Sequence, residues 1–145
     1  MLSLEQMIFC IQKIYPGTGQ GVDYWVAHPV DASLKQIGPA FVVEWKLEHP
    51  QPGDDEIDAQ WTAHGDEYLA LIADADGRTR RNALLLTADN LVEMALDTGN
   101  TALEALARTY RQSLRDLPQS QGWPRAIIWP DPPDAQSAIT QTSQT

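Results

Sequence analysis

Cysteine occurs once in the 145 residues, at Cys10. A single thiol supports neither an internal disulfide framework nor a Cys-rich zinc site, and it fits a reducing compartment. Basic residues are scarce as well. Ten Lys and Arg stand against twenty Asp and Glu, giving a formal net charge of -10 and a pI near 4.5. Neutralising phosphates takes clustered Lys and Arg, so this balance argues against nucleic acid and anionic membranes as partners. Long apolar runs are missing too. Residues 7–11 are flanked by Glu5, Gln6 and Gln12 and follow no basic segment, so they are no signal peptide. Nothing approaches the roughly 20 apolar residues of a spanning helix.

Catalytic and metal motifs are also lacking. His28, His49 and His64 match no zinc spacing, and Cys10 lies far from them. Asp74-Ala75-Asp76-Gly77 sets its glycine too early for a calcium loop, and Arg80 and Arg81 stand where oxygen ligands are needed. The glycines at 17, 19 and 21 follow a helix and precede a strand, the wrong order for a phosphate-binding loop. There is no G-x-S-x-G and no catalytic-cysteine signature. Glu44 and Glu48 are formally a carboxylate pair, but acids in so acidic a chain read as solvated surface. The sequence thus points to a protein that is no enzyme, with no catalytic residue, cofactor or metal.

What is present is a clear pattern of elements. Ser3 suits the N-cap of a helix over residues 4–14, with Leu4, Met7, Ile8, Ile11 and Ile14 on one face. Cys10 falls on its apolar side as packing. Residues 23–27 read as a strand. Residues 41–47 alternate, with Phe41, Val43, Trp45 and Leu47 on one face and Val42, Glu44 and Lys46 on the other. An acidic start at Asp54-Asp55-Glu56 opens a helix whose seam is Ile57, Trp61, His64, Tyr68, Leu71 and Ala75. Asp76-Gly77 reads as a break or kink, with helix resuming from Arg78. Thr98-Gly99-Asn100 is a turn. It precedes a helix with Leu103, Leu106, Ala107, Tyr110, Leu114 and Leu117 on one stripe and Arg108, Arg111 and Arg115 towards the other side.

The end of the chain carries the sharpest signal. After Leu117-Pro118 comes a polar turn, then Gly122-Trp123-Pro124, an apolar run over residues 126–128, and Trp129-Pro130. X-Pro pairs force extended geometry, so this segment reads as a ribbon bearing large aromatic side chains. Trp and Arg are enriched in interfaces. Tyr110, Arg111, Arg115, Trp123, Ile128, Trp129 and Pro130 are therefore the candidate partner-binding residues. The alternative is that the two tryptophans pack back on their own helical hairpin. Residues 134–145 are mostly Gln, Ser and Thr, with two Ala, one Asp and one Ile, and read as a flexible tail.

The run Tyr110-Arg111-Gln112-Ser113-Leu114-Arg115-Asp116-Leu117-Pro118, then Gly122-Trp123-Pro124 and residues 128–133 (IWPDPP), resembles the C-terminal signature of bacteriophage tail assembly chaperone-type proteins. Trp45 followed by Pro50-Gln51-Pro52 and Asp54-Asp55-Glu56, and Arg81-Asn82-Ala83-Leu84-Leu85 leading to Ala88-Asp89, resemble the same family. Where the family often reads SDW, this chain has Ala88-Asp89-Asn90. The N-terminal part loosely resembles small phage tail proteins of the XkdW type.

The resemblance implies a non-enzymatic tail protein that binds tail components during assembly in the host cytoplasm, or a structural protein kept in the virion tail, baseplate or fibre base. Its partners would be tail tube, baseplate or fibre proteins, with homo-oligomers through the helical seam. The fold expected is α+β: a small helix and two-stranded antiparallel unit (1–50), a long helical hairpin (51–118), an extended Trp-Pro ribbon (119–133) and a tail (134–145). One compact domain is expected to hold them.

Overall fold

The computed structural model describes residues 1–134; the tail expected over 134–145 lies outside the described residues except for Asp134. The chain is mixed α+β and divides into two compact units, residues 1–69 and 70 onward.

In the first unit, α1 spans Leu4–Ile14. A reciprocal capping box starts it: the Ser3 hydroxyl accepts from the Gln6 amide while the Gln6 side chain accepts from the Ser3 amide. Strands β1, Tyr24–Ala27, and β2, Phe41–Trp45, pair antiparallel. The core combines Met7, Cys10 and Ile11 of α1, Tyr24 and Val26 of β1, and Ile57 from the start of the next helix. Burial pushes the Cys10 thiol up to about 11, with the negative Asp58 adding to the effect, so it stays protonated at neutral pH. Trp45 stacks on Tyr24 at 5.6 Å, and Tyr15 donates its hydroxyl hydrogen to the Pro50 carbonyl at 2.8 Å.

The expected alternation of β2 does not hold. The register slips between Trp25 and Val26, so Trp25 pairs with Glu44 and Val26 with Val42, leaving Val43 as an extra residue. A bulge shifts the two-residue period by one. Val42 and Trp45 therefore both pack on the core, while Phe41 and Val43 are 50% and 61% exposed. The strand also stops at Trp45 rather than reaching residue 47.

Helix α2 runs without interruption over Asp54–Asp97, so the break foreseen at Asp76-Gly77 is absent. Gly77 is buried inside it. The foreseen seam holds at Ile57, which is buried, and at Trp61, His64 and Tyr68, which are half-buried; Leu71 and Ala75 are exposed. A seven-residue repeat drifts about 20° per heptad around a straight helix, so one seam cannot stay on one face over such a length. In the second unit the buried positions of α2 are Gly77, Ala88, Val92 and Ala95.

Gly99, with φ of 66°, closes α2. Its amide donates to the Leu96 carbonyl and the Asn100 amide to that of Ala95, a pairing that needs a left-handed residue. The Asn100 side chain then caps α3, Thr101–Asp116, by accepting from the Leu103 amide at 3.0 Å. A short 3-10 turn, Leu117–Gln119, leads into the ribbon. Ala88, Tyr110, Leu114 and Leu117 form the centre of this unit's main cluster, and Trp123, Ile127 and Trp129 pack against it.

Candidate functional site

The candidate residues lie on α3 and on the ribbon that follows it, and they differ in burial and contacts. Trp123 is fixed to α2 from three sides. Its indole Nε1 donates to the Asp74 carboxylate at 2.6 Å. The other Asp74 oxygen accepts from Arg78 Nε at 2.7 Å, and the Arg78 guanidinium lies 5.9 Å from the Trp123 ring centre. The ring itself rests on Gly77, where a Cβ would come within 2.8 Å of Trp123 and 2.9 Å of Ile127. Glycine at 77 is therefore a notch in a continuous helix, cut for the indole, and not a helix breaker. The Arg78 and Trp123 hydrogen bonds hold the Asp74 carboxyl below the usual aspartate range.

Trp129 forms the second attachment. It packs on the Tyr110 and Leu114 cluster, and the Arg80 guanidinium stands 4.4 Å from its ring centre. Between the two attachments the chain turns tightly. Gly122 allows the turn because its carbonyl accepts from the Ala126 amide at 2.6 Å, and a side chain at 122 would run into the Ala126 carbonyl. The Trp123-Pro124 bond is cis.

Of the remaining candidates, Tyr110 is buried, and burial raises its hydroxyl pKa. Its hydroxyl has no partner among the described residues. Arg111 reaches from α3 to Asp89 of α2 at 2.9 Å and is mostly covered. Arg115 is exposed and Pro130 half-buried. Ile128 stands apart: lying between the two fixed tryptophans, it is 87% exposed. Leu106, Tyr110, Pro130 and Pro133 line a shallow groove of about 220 Å³ between α3 and the ribbon. Leu106, assigned from the sequence to the packed stripe, is 52% exposed. Its spacing is that of the buried face, so the sequence carries no sign of this exposure.

Among the described residues no group of three or more His, Cys, Asp and Glu side chains could hold a metal ion. No described helix is long and apolar enough to cross a membrane.

No curated protein and no solved structure matches the chain. Two families do. Residues 7–69 match the family described as XkdW protein, and residues 75–134 match the phage tail assembly chaperone protein family. The boundary between the matches falls beside the boundary between the two compact units. The second match takes in the notch at Gly77, α3 and the whole Trp-Pro ribbon. Residues 7–69 are thus similar to the first family and residues 75–134 to the second, and together the two matches support a phage tail assembly chaperone-type protein.

Proposed function

We propose that the chain acts in the host cytoplasm by binding another tail protein through the exposed side of α3 and the ribbon. The observation that carries this reading is Ile128. A β-branched apolar residue is held 87% exposed on a segment fastened at Trp123 and Trp129, so it is presented without an ordering cost. Leu106 and Pro130, which line one groove, extend the surface. In this reading Trp123, Trp129 and Tyr110 build the platform and Ile128 makes the contact.

The test is co-expression with the neighbouring tail proteins, followed by co-purification. Ile128→Asp should keep the melting temperature and lose the partner, because an exposed side chain adds little to folding. Unchanged co-purification would overturn the reading. Mass spectrometry of purified particles then separates the two forms of the role: stoichiometric presence makes the protein a retained tail, baseplate or fibre-base component, and absence makes it a transient chaperone.

A further inference from the structure

The first unit carries a second surface that the ribbon reading does not use. A groove of about 610 Å³ opens between the start of α1, the residues leading into β2 and the first two turns of α2. That volume is within the range of sites that accommodate several side chains. Its apolar lining comes from Leu2, Met7, Phe41, Ile57 and Trp61. On α2 the lining positions are Asp54, Ile57, Asp58 and Trp61, which repeat at three and four residues and so form one helical face. That face alternates carboxylate and apolar side chains.

The electrostatic setting is one-sided. The first unit holds eleven Asp and Glu against three Lys. Lys13 is bound to Glu67 at 2.6 Å, and Lys46 lies 3.6 Å from Glu44 and 4.2 Å from the Trp25 ring centre. Among the described residues no Lys or Arg pairs with Asp54 or Asp58. Both carboxylates are exposed at the groove, beside a half-exposed Phe41.

We propose that this groove is a docking site for a basic amphipathic helix of a partner protein. Its apolar side chains would enter between Phe41, Ile57 and Trp61, and its Lys or Arg would pair with Asp54 and Asp58. A helix laid along a helical face meets the same spacing of three and four residues that the wall presents. The acidic field of the unit speeds and selects the encounter, while the apolar floor supplies contact area. The site is separate from α3 and the ribbon, so the chain carries two docking surfaces, one in each unit.

The experiment uses the full chain and two designed peptides with leucine at helical spacing, one otherwise rich in lysine and one in glutamate. Binding is read by tryptophan fluorescence at several salt concentrations. The lysine peptide should bind, weaken with salt, and lose about tenfold in affinity with Asp54→Asn/Asp58→Asn. Phe41→Ser should weaken it further. Glu93→Gln/Asp97→Asn removes the same charge from the other unit and should change nothing. Equal binding of the glutamate peptide, or equal weakening by the Glu93 and Asp97 changes, overturns the proposal. Sedimentation is run alongside: self-association that Phe41→Ser abolishes would give the groove to a second copy of the chain instead. Because Ile128→Asp leaves this groove untouched, failure here and failure of the ribbon reading are distinguishable.

Discussion

The two units both set a tryptophan against a glycine of α2, and the difference between the two arrangements explains much of the molecule. In the first, the Trp61 indole lies over Gly65, one turn further along the same helix, at 3.1 Å from the position of a Cβ. In the second, the indole over Gly77 is Trp123, far along the chain, and Ile127 crowds the same spot. The first is a local contact between residues one helical turn apart, at a separation that a shift of a few tenths of an ångström would relieve. The second is a tertiary contact that fixes where the ribbon lies. The cores differ likewise. The first unit gathers its core from a helix, a two-stranded sheet and the start of α2, whereas the second closes two helices with an extended segment.

The strongest way to break this contrast is to remove the ribbon's anchor. Trp123→Ala discards the indole that meets Asp74, Arg78 and Gly77, and should destabilise the second unit by about 3 kcal/mol. Hydrogen exchange and proteolysis over residues 119–130 should rise, while the amides of α1 stay protected. Trp129→Ala removes the second attachment and should lower the melting temperature by several degrees, with a loss of about 2 kcal/mol. An unchanged melting temperature would instead make Trp129 a contact residue.

Alanine at the two glycines sharpens the comparison directly. On propensity alone each change should stabilise a helix by about 1 kcal/mol. At Gly77 the Trp123 and Ile127 contacts reverse that, and Gly77→Ala should cost about 1–2 kcal/mol, a cost that shrinks in the Trp123→Ala background. At Gly65 the nearest approach, 3.1 Å from Trp61, is looser, so Gly65→Ala should fall within about 0.5 kcal/mol of neutral. Thermal melts of the single and double variants measure all four values. If the two glycines respond alike, the distinction between local and tertiary packing fails.

The smallest effect expected is one of pH. The Asp74 carboxyl is depressed in the folded protein, first by Arg78 and then by Trp123. A depressed carboxyl stabilises the fold above its ordinary range and loses that contribution as acid protonates the folded form, below about pH 4. Acid titration should therefore loosen residues 119–130 before α1, and Asp74→Asn should flatten the difference.

Much of this organisation was legible in the sequence, and the misses share a cause. The N-cap at Ser3, the turn at Gly99 and the stripe through Tyr110 and Leu114 depend on neighbours within a few residues, so local pattern sufficed. Gly77 misled because a glycine in a helix is the same letter whether it ends the helix or admits a side chain from elsewhere. The β2 face misled because a bulge at Val43 depends on how two strands pair. The candidate residues were named as one stretch, but which of them are packed and which exposed was not visible. Aromatic residues in a Pro-rich segment serve equally as anchor or as contact until their surroundings are known.

The sequence by itself determined the α+β order, the helix start at Ser3 and the turn at Gly99, the acidic character and the Trp-Pro ending, because propensity, capping and charge are properties of adjacent residues. Only the tertiary structure decided that Trp123 and Trp129 grip α2 while Ile128 faces outward. That choice rests on a missing Cβ at Gly77, a carboxylate at Asp74 and a guanidinium at Arg80, brought to the ribbon from many residues away.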